Sequence, residues 1–141
     1  MIEKMKQLVM DEKYCVLATA MDNKPYCSLM AYAVEDDCSK IYMVTKKDSE
    51  KYKNLKSNKI VSILIDTRAS TKEKAARALT ITGCFSKIDD EKLRSSVIDK
   101  LRNRHPELEI FLNDESARIF AVEIKSFLLL DGFTDSYFEI L

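Results

Sequence analysis

The stretch KIYMVTKKDSEKYKNLKSNKIVSILID, residues 40–66, decides how the chain is read. It begins with an apolar, β-favouring run (Ile41, Tyr42, Met43, Val44) that stops at Thr45, and it ends in a second apolar run over residues 60–65. Between them, SEKYKNLKS reads as a short basic helix with Ser49 as its N-cap. Strand, hydroxyl, helix start, strand is an arrangement that can hold a phosphate. The first backbone N–H groups of a helix lack intrahelical partners and attract an anion. Thr45 falls at the carboxyl end of its strand, and Lys51 adds a positive charge one turn in. The same lysines, with Lys46, Lys47, Lys53 and Lys56, equally suit a solvated face, so spacing alone leaves both readings open.

The composition narrows the choice. A length of 141 residues fits one domain with one substantial core. Lys and Arg number 23, as do Asp and Glu, so bulk positive charge cannot drive nucleic-acid binding and any anion site must be local. With 46% apolar residues the chain does not have the composition of a disordered one. No apolar run approaches the roughly 20 residues that span a bilayer. The first residues, MIEKMKQLVMDEK, lack the apolar core of a signal peptide, so a cytoplasmic protein is expected. Cys15, Cys27, Cys38 and Cys84 form no CxxC pair and are expected as reduced, structural thiols. The sole histidine, His105, precedes Pro106 at an expected turn or helix start, with neither zinc-ligand spacing nor a catalytic serine pattern beside it.

Outward from the central stretch, residues 2–12 place Ile2, Met5, Leu8 and Val9 on one helical face. Residues 14–21 (YCVLATAM) and 25–34 (PYCSLMAYAV) read as two strands of an antiparallel hairpin turning at Asp22-Asn23-Lys24-Pro25. Residues 60–67 form the fourth strand, and 68–76 (RASTKEKAA) a polar connection. In the fifth strand, residues 78–88, Gly83 marks a bulge or a close backbone approach. Asp89 is expected to cap a helix running to about Arg104, with Leu93, Val97, Ile98 and Leu101 inward, and residues 105–112 a second helical piece. Residues 118–130 read as a long last strand, and the aromatic tail 133–141 as an added edge strand. Five or six antiparallel strands with three short helices predict a mainly-β protein, a small barrel with peripheral helices.

Taken in order, these residues carry a resemblance: LAT at 17–19, then IYMVT at 41–45, SEKYKNLKSN at 49–58, VSILID at 61–66, TGCF at 82–85 and the closing FLLLDGF at 127–133. The sequence resembles the pyridoxamine 5′-phosphate oxidase-related FMN-binding split-barrel family over residues 16–133. The resemblance implies a split β-barrel homodimer with FMN in two clefts at the subunit interface. It implies that Thr45, Ser49 and Lys51 hold the flavin phosphate; Thr45 and Lys51 are expected to be exposed at the cleft rim. It places the ring and ribityl chain along Ser28, Leu29, Met30 and Ala31 and at Val44, with the partner subunit approaching near residues 78–80.

Two positions depart from the family pattern. Ser28 and Glu50 stand where pyridoxamine phosphate oxidases proper carry arginines, and the C-terminal segment that grips the substrate phosphate in those enzymes has no counterpart here. Pyridoxamine oxidation itself is therefore not expected. The resemblance implies a flavin-dependent oxidoreductase or reductase acting on a small organic substrate, with redox chemistry from the flavin and no protein nucleophile or metal. Against it stand a flavin store or sensor without turnover, a barrel holding another planar cofactor (haem or a deazaflavin), and a dimer with an empty cleft.

Overall fold

The protein is described from a computed structural model covering residues 1–70 and 76–141. Its longest strand, β7 (Ala117–Asp131), is the axis of the sheet. One edge of β7 pairs along its length with β6 (Arg77–Lys87). The other edge is divided between β4 (Lys40–Lys46), facing its first half, and β8 (Asp135–Ile140), facing its second. The remaining strands are β1 (Tyr14–Met21), β2 (Lys24–Ala31), β3 (Ala33–Val34) and β5 (Ile60–Asp66). They complete an antiparallel sheet of order β2-β1-β5-β6-β7-β4-β3, with β8 off this path against β7. The sheet curls into a split barrel with helices at its periphery, as the sequence predicts.

Alternation explains why the strands are so apolar. In β4, Ile41 and Met43 enter the barrel interior with Leu17, Ile63, Ile81 and Phe120. Tyr42 and Val44 face the other way, into a second core with Ala33, Val97, Leu101 and Ile119. A strand buried on both faces reads as a continuous apolar run. The second core is covered by α3 (Glu91–Arg104), a 3-10 turn (Pro106–Leu108) and the short α4 (Glu109–Leu112). One end of the barrel is closed by α1 (Ile2–Asp11), which buries Met5, Leu8 and Val9. Another part of the interior is closed by α2 (Glu50–Ser57) through Tyr52 and Leu55. Arg104 donates to the carbonyls of Met10 and Glu12, placing a cation against the C-terminal end of α1.

The bulge lies where Gly83 predicts an irregularity. Opposite Thr82 stands Ser126, but opposite Gly83 stands Ile124, so Lys125 is an extra residue on β7. Before it Phe120, Val122 and Ile124 point inward; after it the inward positions are Phe127 and Leu129. One inserted residue has exchanged the faces. The freed Lys125 carbonyl accepts from Leu141 N–H at 2.9 Å. Gly83 is required for space: a Cβ there would lie 2.4 Å from Val122 Cγ1 and 2.8 Å from the Glu123 carbonyl oxygen.

Several boundaries differ from expectation. The strand expected over residues 25–34 is broken at Tyr32, whose ring is buried and whose hydroxyl donates to the Val9 carbonyl at 2.6 Å. The break separates β2, paired to β1, from β3, paired to β4. Among the described residues the count is thus eight strands and four α-helices, because short tertiary-held pieces carry no local signal. Asp90, not Asp89, caps α3, accepting from Leu93 N–H at 2.9 Å. The helical piece expected at 105–112 divides into the 3-10 turn and α4. Residues 71–75 of the expected connection lie outside the described residues. Among the described residues no helix is long and apolar enough to cross a membrane.

On the sheet's outer surface, six side chains align across the strands in register: Leu29, Val16, Leu64, Thr80, Leu128 and Phe138. Leu29 is 77% exposed and Phe138 58%, so this row is bare in the single chain. Five of the six are apolar, and an exposed row of this extent is the kind of surface that marks an interaction site.

The packing at the bulge predicts that Gly83→Ala destabilises the fold by about 1–3 kcal/mol through overpacking. Urea denaturation checks this as a lower midpoint with an unchanged slope. An unaltered midpoint would mean that the backbone at Glu123 yields freely.

Candidate functional site

The central stretch folds into β4, a turn and α2, and its end forms the wall of a cavity of about 350 Å³. The turn is pinned from both sides: Ser49 N–H donates to the Lys46 carbonyl at 3.1 Å and Lys47 N–H to the Ser116 carbonyl at 2.8 Å. Ser49 has an extended backbone, and its hydroxyl accepts from Tyr52 N–H at 3.2 Å. It is therefore the N-cap of α2, as the sequence predicts.

Seven of the eight residues named from the sequence line this one cavity: Leu29, Met30, Ala31, Val44, Thr45, Ser49 and Lys51. Three more complete it. Lys46 follows Thr45 at the strand end, and Leu108 and Phe111 come from the 3-10 turn and α4. The lining is divided by chemistry. Thr45, Ser49, Lys46 and Lys51 put two hydroxyls and two cations at the start of α2, while the other side chains are apolar. Among the described residues no carboxylate lines it. Glu50, at a position where the family pattern has arginine, is exposed and absent from the lining.

Three placements differ from expectation. Thr45 is not on an exposed rim: it is 3% exposed, and its hydroxyl lies 2.9 Å from the Ser49 hydroxyl. Its position in the strand gives it the inward parity of Ile41 and Met43, which explains the burial. Lys51 is half-buried. Ser28 shares the inward parity of Met30, and its Oγ is buried with no hydrogen-bond partner among the described residues. It is the one named residue outside the cavity lining.

Phe111 and Leu108 were missed because they lie over sixty residues from β4 in sequence. A signal existed: Leu108, Phe111 and Leu112 follow Pro106 at helical spacing and so demand an apolar surface to cover. His105 is buried and structural. Its Nε2 lies 2.8 Å from the Tyr32 carbonyl oxygen and its Nδ1 3.4 Å from Glu107 Oε1. Glu107 also accepts from the Tyr14 hydroxyl at 3.1 Å, and this bond, with the nearby carboxylate charge, raises the Tyr14 pKa. All four cysteines are free thiols, and burial pushes Cys15 up to about 12, which keeps it unreactive. Among the described residues no cluster of His, Cys, Asp and Glu is placed to hold a metal.

Comparison with solved structures finds the same fold in proteins of low sequence identity. A heme-binding protein from Mycobacterium smegmatis superposes with a TM-score of 0.86 at 13% identity, covering 98% of this chain and 57% of that one. The chain thus spans little more than half the length of that relative. A FAD-binding protein from Mesorhizobium loti gives a TM-score of 0.75 at 15% identity, with coverage of 92% and 93%. General Stress Protein 26 from Bacillus anthracis gives 0.74 at 18% identity, with coverage of 99% and 97%. No curated protein matches the sequence. The pyridoxamine 5′-phosphate oxidase family model matches residues 1–128. With that match over most of the sequence, and the split barrel it describes present in the structure, the chain belongs to the pyridoxamine 5′-phosphate oxidase family.

Proposed function

We propose that the chain binds FMN in the cavity at the start of α2 and works as a flavin-dependent oxidoreductase on a small organic substrate. The observation that carries this reading is the division of the lining. Hydroxyls and lysines gather where a phosphate would sit, and apolar side chains where a flat ring system would lie. Lys51 and Lys46 would balance the phosphate charge, and the Thr45 and Ser49 hydroxyls and the first N–H groups of α2 would hydrogen-bond it. Leu29, Val44, Leu108 and Phe111 would keep water from the ring. FMN, when bound, supplies the electron transfer, which fits a lining without carboxylate or thiol.

Flavin is preferred to haem because the sole histidine is already engaged. His105 is 1% exposed, bonded to the Tyr32 carbonyl and outside the cavity lining, so it offers no axial ligand there. A second copy of the chain is the proposed partner. Leu29 belongs both to the cavity lining and to the bare row on the sheet, so a partner seated on that row would cover the cavity's apolar side.

An absorbance spectrum of the purified protein, before and after adding FMN, tests the cofactor. Flavin bands with quenched fluorescence are expected, and Lys51→Ala should weaken binding by about 1.5–3 kcal/mol. Equal affinity in the variant would remove the phosphate assignment, and no uptake of FMN would remove the flavin. Thr45→Ser, which keeps the buried hydroxyl, should bind like the unaltered chain. Reduction of bound FMN by a nicotinamide cofactor, with transfer to an added acceptor, would separate an enzyme from a flavin store. For the partner, light scattering should give a dimer that Leu128→Lys converts to monomer; a monomeric unaltered chain would overturn that assignment.

A further inference from the structure

A second concavity, of about 460 Å³, lies at the other end of α2 and is lined by Lys56, Lys59, Phe85, Ser86 and Lys87. Three cations surround it, on a chain whose formal net charge is zero. They come from three different elements. Lys56 is in the last turn of α2, Lys59 immediately precedes β5 and Lys87 ends β6. The Phe85 N–H bond to the Lys59 carbonyl, 2.7 Å long, ties the second and third segments together. Ser86 adds a hydroxyl whose own bond, to the Lys87 carbonyl, is long at 3.4 Å.

Among the described residues, none of the three lysines takes part in an ion pair. Lys56 Nζ sits 5.2 Å from the Tyr52 ring centroid, which orients it without neutralising it. The C-terminal end of α2 supplies at most about half a negative charge. Roughly two and a half positive charges therefore remain around one concavity, and a cleft of one sign concentrates the field and draws in counter-ions. We infer that this concavity binds a small phosphorylated molecule carrying at least two negative charges. Its size suits a diphosphate with room for an attached group; the three lysines offer donors and no acceptor, and the Ser86 hydroxyl can turn to donate as well. This site does not depend on the flavin reading, because it shares no residue with the other cavity.

The test is titration of the 141-residue chain with inorganic pyrophosphate, followed by calorimetry and by backbone amide shifts. Saturable binding is expected to move the amides of Lys56, Lys59, Phe85 and Lys87. Each single Lys→Ser change should weaken it about fivefold, in keeping with partly exposed charge pairs. The triple Lys→Ser variant should lose it, while the triple Lys→Arg variant, keeping the charge, retains it. Lys51→Ala, at the other cavity, should leave pyrophosphate binding here unchanged. The inference is overturned if pyrophosphate moves none of those four amides, if the folded triple Lys→Ser variant binds as tightly as the unaltered chain, or if Lys51→Ala alone abolishes the binding.

Discussion

The rest of the structure hangs on the pairing of β7. A fifteen-residue strand bonded to β6 along one edge, and to β4 and then β8 along the other, joins the barrel to its edge extension. Because side chains alternate, its register fixes which residues of four strands become core. The first half of β7 is buried on both faces, with Phe120 and Val122 inward and Ile119 and Ala121 under the helices. That double burial holds β4 in place, and β4 in turn delivers Val44 and Thr45 to the cavity. The second half has a covered face and a bare one. Core and candidate interface are thus two halves of one strand.

α2 is the second organising element. It closes part of the barrel with Tyr52 and Leu55, and Asn54 Nδ2 donates to the buried Thr19 hydroxyl at 3.1 Å. Its inward face is therefore spoken for, and its two ends are left to do other work. One end presents Ser49 and Lys51 to a cavity with an apolar wall, and the other presents Lys56 to a concavity ringed by cations. Eight residues at 1.5 Å per residue put these ends about 12 Å apart on a rigid element.

Much of this was legible in the sequence. The apolar runs marked β1, β4, β5, β6 and β7, the SEKYKNLKS stretch marked α2 and its cap, and Gly83 marked the bulge. The resemblance to a known family then gathered residues from β2, β4 and α2 that no local pattern connects. What stayed hidden depends on distant partners. Tyr32 breaks a strand because its ring and hydroxyl are buried beneath α1. Thr45 is buried because strand parity, not hydroxyl chemistry, sets its direction. Leu108 and Phe111 reach the cavity only because the second core draws the 3-10 turn and α4 against β4. Chain reversals over sixty residues leave no trace in a local window.

Leu29 has a consequence in the language of linked equilibria. It is the residue common to the cavity and to the bare row on the sheet. A ligand that packs against it and a partner that covers it change the surroundings of the same exposed side chain. For the proposed dimer and the proposed cofactor, any effect of one on the affinity of the other through this shared side chain is returned in equal measure. Were the proposed second copy to occupy that row, both properties would follow the concentration of the chain.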